Sequence, residues 1–248
     1  MGNQFKTMSS DDFGKRVYKK INGWYSNEVQ RLKDVKRIVE QREVIIGLLE
    51  KVQKVDVQPL LTFLDESGFY YRPSGHKRHH SSPGGLAEHS LGVYRIVKDW
   101  NDLEPGQRKK IPQKIVGLLR RCVGIKCDIF NDVMAEDDMV LASICHDLCK
   151  AKLFYFKGSK IKKHHLNDNR HSALSVKYLC ELGINTPDCQ EILLAVRTHM
   201  SLFSGKNNLD STTRSRGLAS MLAVTVWAAD KTDARRHPYK PRHIRRLS

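Results

Sequence analysis

The chain has 248 residues, of which 40% are hydrophobic and 28% are charged, and its formal net charge is +16. This length can supply the core of one domain with appendages, and no window approaches the roughly 18 apolar residues of a membrane span, which excludes an integral membrane protein. The amino terminus lacks the apolar segment of a signal peptide. We therefore expect a cytoplasmic protein that does not bind membranes.

The positive charge is concentrated in two segments. Residues 107–126 contain seven Lys or Arg and no acid, and residues 231–248 contain seven more with Asp233 as the only acid. Such fields attract polyanions, which indicates nucleic acid, a nucleotide or another phosphorylated small molecule as a partner. The alternative is that this charge only maintains solubility, or that the tail is a disordered end.

Six cysteines occur without a CxxC pair: Cys122, Cys127, Cys145, Cys149, Cys180 and Cys189. This pattern favours buried free thiols over a disulfide framework or a zinc-thiolate site.

Helical periodicity predominates along the chain. One long or two shorter amphipathic helices are predicted over 26–55, and a short helix over 57–67 precedes a loop at 68–85 that is rich in Gly and Pro. The further predicted helices cover 86–100, 111–124, 137–151, 171–182, 187–199 and 213–234, with a Lys-rich loop at 156–170. Because almost no segment alternates with period two, we predict an all-α fold.

Histidine and aspartate side chains recur in or next to these apolar helices. The pair His146 and Asp147 lies in MVLASICHDLCKAKLF, where burial would be costly without a partner. Metal coordination is one solution, and a hydrogen-bonded or ion-paired His–Asp couple is the other. Four more residues of this kind are His89, His171, His199 and Asp230. Helices in a bundle can bring such residues to one point, and the donor set suits iron(II), manganese, cobalt, nickel or zinc better than calcium.

The order H…HD…H…H…D, with Lys150 three positions after the aspartate, resembles the HD-domain phosphohydrolases. The resemblance spans about residues 75–235 and rests on HHSSPGGLAEHSLGVYRIV, CHDLCKA, RHSALSVKYL, RTHM and AADKTDA. The first of these segments is most similar to the HD domains of bacterial 3′-to-5′ exoribonucleases and relaxase-type proteins. The resemblance as a whole implies a helical HD-domain bundle over 68–236, with a helical extension at 1–67 and a basic tail at 237–248.

The resemblance also implies a ligand set and a reaction. One metal would be held by His89, His146, Asp147 and Asp230, and a second by His171 and His199, with Asp147 bridging the two. A water held by the metals would attack phosphorus. Lys150 would contact the phosphate or stabilise the transition state, and its alternative role is that of a cation at a helix C-terminus. His79 and His80 could face the substrate.

Several alternatives accompany this assignment. The second ligand set could include His164 or His165, and the site could hold only one metal. Asp233 is expected to cap the helix or to pair with Arg235 or Arg236, and His76 and His237 are expected at the surface.

The function predicted from these residues is a metal-dependent phosphohydrolase, either a phosphomonoesterase or a phosphodiesterase, that acts on a nucleotide or on single-stranded nucleic acid. The alternative is an HD module that binds nucleic acid or a nucleotide without turnover.

Overall fold

The structure is a computed structural model that describes residues 8–76, 79–103, 134–164, 171–200 and 221–237. Its helices are α1 (Ser10–Ile21), α2 (Glu28–Leu49), α3 (Gln58–Ser67), α4 (Gly85–Asn101), α5 (Glu136–Cys145), α6 (Lys150–Leu153), α7 (His171–Glu181), α8 (Gln190–Thr198) and α9 (Met221–Arg236). Short 3₁₀ turns at Asn22–Trp24 and Pro187–Cys189 follow α1 and precede α8, and strands β1 (Phe154–Lys157) and β2 (Lys160–Lys163) form an antiparallel hairpin. The all-α prediction is confirmed apart from this small hairpin.

The helix boundaries follow from local chemistry. The Ser9 side chain accepts a hydrogen bond from the Asp12 backbone N–H at the start of α1, and Asn27 does the same for Gln30 at the start of α2. These caps satisfy backbone donors that have no partner within the helix. At the end of α3, Gly68 has φ 79°, and a Cβ there would lie 2.5 Å from the ring of Tyr71. Glycine therefore allows the chain to turn sharply out of α3 into the loop.

One hydrophobic core joins the amino-terminal helices to the rest of the bundle. Phe13 of α1, Ile45 of α2 and Leu64 of α3 belong to the same buried cluster as Leu91 of α4 and Ile192 of α8. Helix α4 packs against α2, α5 and α9. Helices α1 to α3, within the predicted extension, thus share one core with the helices that carry the candidate ligands.

A buried ion pair connects α2 with α3. The Arg42 guanidinium donates from Nε and Nη2 to the two oxygens of Asp65, each at 2.8 Å, and lies 4.6 Å from the centre of the Phe13 ring. Nη2 also donates to the carbonyl oxygen of Met8 at 3.0 Å. Removing only one partner of such a pair leaves a buried charge without compensation.

We therefore expect Arg42→Met to lower the free energy of unfolding by about 3–5 kcal/mol. The double variant Arg42→Met/Asp65→Leu should recover most of this loss, because neither charge then remains buried. Urea denaturation, monitored by circular dichroism, measures the free energy of unfolding of each variant. Equal destabilisation of the single and double variants would contradict the ion-pair explanation.

Two predictions of secondary structure were wrong in detail. The helix predicted over 137–151 ends at Cys145, and the backbone N–H groups of Leu148 and Lys150 bond three residues back, to Cys145 and Asp147, so the chain tightens there into a turn. The loop predicted over 156–170 contains part of the hairpin, whose strands of four residues are too short to give a detectable alternation. Residues 111–124, predicted as a helix, lie outside the described residues.

The described cysteines Cys145, Cys149, Cys180 and Cys189 are free, as predicted, and all but Cys180 are buried. Burial raises the pKa of Cys145 to about 12, so this thiol stays protonated and apolar in the core. No described helix combines the length and the apolar character that spanning a membrane requires.

Candidate metal centre

The six predicted ligands come from different helices and meet at one buried point. His89 lies within α4 and Asp230 within α9, whereas His171 is the first residue of α7. The other three stand where a helix has just ended: His146 and Asp147 follow α5, and His199 follows α8. A helix end leaves the side chain room to approach neighbouring helices without breaking the helical hydrogen bonds.

Asp147 is at the centre of this cluster, and its two oxygens face different histidines. Oδ2 lies 3.3 Å from His146 Nε2 and 3.6 Å from His89 Nε2. Oδ1 lies 3.4 Å from His199 Nε2 and 3.7 Å from His171 Nε2. The carboxylate therefore divides the histidines into two sets.

Asp230 joins the first set. Its Oδ1 lies 3.2 Å from His89 Nε2, and the Nε2 atoms of His89 and His146 are also 3.2 Å apart. The structure thus brings together the groups that the sequence assigned to one metal.

Backbone and carboxylate acceptors fix the orientation of three of these rings. His146 Nδ1 donates to the carbonyl oxygen of Ser143 at 2.8 Å, and His199 Nδ1 donates to that of Val196 at 2.6 Å. His89 Nδ1 donates to Asp233 Oδ2 at 2.7 Å. With Nδ1 bonded in this way, Nε2 of each ring faces the centre of the cluster, where a neutral ring would offer its lone pair to a ligand.

This arrangement suits a divalent cation. Lone pairs on facing Nε2 atoms repel one another and the nearby carboxylates in a buried setting unless a cation or protons lie between them. Among the described residues, Asp147 Oδ1 and His199 Nε2 are buried and form no hydrogen bond of suitable geometry. Ligand atoms of His89, His146 and Asp147 lie within 4.8 Å of one another, as do those of Asp147, His171 and His199. Both groups have the nitrogen and oxygen donors that transition metals prefer.

The electrostatics keep the two aspartates ionised. Burial would raise the pKa of Asp147, but the Lys150 ammonium and the His146 ring outweigh burial and hold the pKa well below its usual range. Burial would raise the pKa of Asp230 as well, but the neighbouring His89 and His146 side chains lower it by more. Carboxylates that stay charged are available as ligands.

Lys150 lies directly beside the bridging carboxylate. Its ammonium donates a hydrogen bond to Asp147 Oδ2, and its side chain remains 14% exposed. Burial lowers the pKa of Lys150, but the Asp147 carboxylate raises it by more, so the group stays a cation. Lys150 therefore offers a fixed positive charge between the buried cluster and solvent.

The two loop histidines occupy different positions. His79 is half-buried, with its ring centre 4.8 Å from that of His89, and its ligand atom groups with those of His89 and Asp230. Burial and the neighbouring His89 ring lower the pKa of His79 to about 3, so it is neutral near pH 7. It lies at the edge of the cluster, where it could contact substrate or a metal.

His80, predicted as a substrate-binding residue, is buried among carboxylates. Its side chain is only 2% exposed, Nε2 donates to Asp233 Oδ2 at 2.8 Å, and Nδ1 lies 3.4 Å from Glu88 Oε2. Both ring nitrogens therefore face carboxylates, which leaves neither available to a substrate. The loop predicted here is present, but its backbone folds His80 inward, in the left-handed region at φ 51°.

Asp233 also differs from its predicted role. Its Oδ2 accepts hydrogen bonds from His80 and His89, so it is bonded to histidines rather than to Arg235 or Arg236. A Cβ at Gly92 would lie only 2.2 Å from Asp233 Oδ1, so the missing side chain makes room for the carboxylate. The sequence does contain a pattern that indicates this contact. Gly92 lies three residues after His89, and Asp233 lies three residues after Asp230, so each shares a helix face with a candidate ligand.

The remaining histidines are outside the cluster. His164 stacks on the Tyr155 ring with centres 4.5 Å apart, and His165 is not among the described residues. His76 and His237 are exposed, as predicted, although the His237 ring lies 4.5 Å from that of His80.

Comparison with known proteins gives one match. The family model described as "HD domain" matches residues 86–235, which is more than half of the 248 residues and includes all six candidate ligands. No curated protein and no solved structure matches the chain. On the family match, the chain belongs to the HD domain family, whose members are generally metal-dependent hydrolases.

Proposed function

We propose that this protein is a metal-dependent phosphohydrolase that cleaves a phosphoester of a nucleotide or of single-stranded nucleic acid. The observation that carries the proposal is the division of the Asp147 carboxylate, whose Oδ2 faces His89 and His146 while Oδ1 faces His171 and His199. One bridging carboxylate between two sets of nitrogen donors suits a pair of divalent ions.

The ligands would divide between two ions. His89, His146, Asp147 and Asp230 would hold the first, and His171 and His199 would complete the second. Iron, manganese, nickel, cobalt and zinc all suit these donors. When bound, such ions would supply Lewis acidity and an activated water for attack on phosphorus.

Other residues would act on the substrate. Lys150 would donate to a phosphoryl oxygen, since its ammonium is already fixed beside Asp147. Lys231, whose Nζ lies 3.0 Å from Asp230 Oδ2 and whose side chain is 38% exposed, adds a second cation at the solvent side. His171 and Lys150 are each 14% exposed, whereas His89, His146 and His199 are at most 1% exposed, which supports substrate approach from the side of His171 and Lys150.

Metal analysis of the purified protein, followed by a phosphate-release screen over nucleotides, cyclic nucleotides and short oligonucleotides, tests this function. The double variant His146→Ala/Asp147→Ala should lose both metal and hydrolysis. A matched control is His76→Ala/Asp188→Ala, which changes the same residue types at exposed positions. Hydrolysis at full rate by the site variant would reject the proposal, and tight nucleotide binding without released phosphate under every metal would favour the binding module instead.

A further inference from the structure

The hairpin that follows α6 has two chemically different faces. Residues paired directly across antiparallel strands point to the same side, and the pairs here are Phe154 with Lys163, Tyr155 with Lys162, Phe156 with Ile161, and Lys157 with Lys160. The inner face carries Phe154, Phe156, Ile161 and Lys163. The outer face carries Tyr155, Lys157, Lys160 and Lys162.

The inner face fixes the hairpin to the bundle. Phe154 and Ile161 are buried in a cluster with Trp24 and Cys149, and the Phe156 ring meets the Trp24 ring edge-on at 4.7 Å. A Cβ at Gly23 would lie 3.1 Å from Cα of Gly158, so the turn of the hairpin rests closely on the 3₁₀ segment. The outer face is therefore held in one orientation.

Positive charge is concentrated on the outer face. Lys157, Lys160 and Lys162 are exposed, and none forms an ion pair with a residue in the described ranges. Residues 148–164 contain no acid. Lys157 and Lys160 stand directly opposite each other, an arrangement of like charges that destabilises a strand pair. A bound polyanion would relieve this repulsion.

An aromatic pair stands beside these lysines. The half-buried Tyr155 ring stacks on the His164 ring, with centres 4.5 Å apart and planes inclined by 32°. Flat rings next to cations are the combination by which proteins bind unpaired bases together with the connecting phosphates.

The hairpin is also close to the metal centre along the chain. Strand β1 directly follows α6, whose first residue is Lys150, so one helical turn of about 6 Å separates the two. The backbone N–H of His164 donates to the carbonyl oxygen of Leu153 at 2.9 Å, which closes the base of the hairpin at this helix. The outer face therefore begins within about one helical turn of Lys150 along the chain.

We propose that the outer face of this hairpin binds the phosphate backbone of single-stranded nucleic acid, so that the substrate is a polymer rather than a mononucleotide. The choice of substrate rests on the proposed hydrolysis. The binding of a strand does not, and it can be measured separately.

The test compares Lys157→Gln/Lys160→Gln/Lys162→Gln with the control Lys19→Gln/Lys20→Gln/Lys33→Gln, which neutralises three exposed lysines of α1 and α2. Fluorescence anisotropy of a labelled single-stranded oligonucleotide is measured against salt concentration. Each phosphate contact contributes about 0.7 to the salt slope for single strands, so the hairpin variant should lose about 2 units and bind about 100-fold more weakly at 0.1 M salt. The control should keep the slope of the unmodified chain.

Hydrolysis separates this proposal from the proposed function. With bis(p-nitrophenyl) phosphate as a small diester, the hairpin variant should keep its kcat/KM, whereas kcat/KM for the oligonucleotide should fall in parallel with binding. Unchanged oligonucleotide affinity in the hairpin variant would overturn the inference and leave the hydrolase intact. The inference would also be overturned if the hairpin variant lost binding to vesicles of phosphatidylglycerol and phosphatidylcholine but kept its affinity for the oligonucleotide. The hairpin variant could lose oligonucleotide affinity although the unmodified chain hydrolyses no ester. That result would support nucleic-acid binding by the hairpin and reject the proposed hydrolase activity.

Discussion

Asp147→Asn is expected to abolish binding of both metals and to reduce hydrolysis by about 10³-fold or more, equivalent to at least about 4 kcal/mol of lost transition-state stabilisation. The amide keeps the size of the side chain but removes the negative charge that faces both sets of histidines. Metal content after dialysis and the rate of phosphate release measure the two effects.

A second variant separates loss of metal from loss of fold. The Asp147→Asn substitution would leave the Lys150 ammonium without its buried counterion, which is itself destabilising. His199→Gln avoids this problem, because His199 belongs only to the second set. It should lower the metal content from two ions to one and preserve the thermal transition. Two ions bound per chain in Asp147→Asn would contradict the bridging role.

Gly92→Ala is expected to weaken metal binding by about 10–100-fold, the usual cost of disturbing a group that orients a ligand. The added Cβ would lie 2.2 Å from Asp233 Oδ1 and 2.7 Å from its Cγ, so the carboxylate must move away from His89 Nδ1. None of the six candidate ligand residues is substituted in this variant. Titration with Co²⁺, followed by its absorption spectrum, measures the affinity and reports the geometry of the ligands.

The matched control is Gly47→Ala, another glycine within a helix, where an added Cβ meets no atom within 4 Å. The double variant Gly92→Ala/Asp233→Ala removes the clash as well as the carboxylate. If Asp233 positions His89, this double variant should not regain metal affinity. Recovery of metal affinity would assign Gly92 a packing role only.

Further polar contacts link Asp233, which orients His89, to helix α2. His80 bridges Asp233 and Glu88, and Glu88 Oε2 lies 3.3 Å from Arg37 Nη1 on α2. Arg37 also donates to the carbonyl oxygen of Pro83 at 2.7 Å, in the loop that precedes α4. Helix α2 therefore supports the loop that carries His80.

The sequence determined the helical class of the fold and the identity of the six candidate ligands. Both are visible locally, since apolar periodicity reports a helix face, and a histidine or aspartate set in an apolar segment must find a partner. Sequence order alone was also sufficient to relate these residues to the HD family, which the family match confirmed.

The tertiary structure decided how the side chains are used. Whether Asp233 bonds to a neighbouring arginine or to His89 depends on how closely α9 approaches α4 at Gly92, and no local pattern encodes that distance. The burial of His80 depends on the path of a loop, and the two faces of the hairpin depend on the register of its strands. The division of the Asp147 oxygens required the helices to be packed, because it arises from the meeting of four histidines that are distant in the chain.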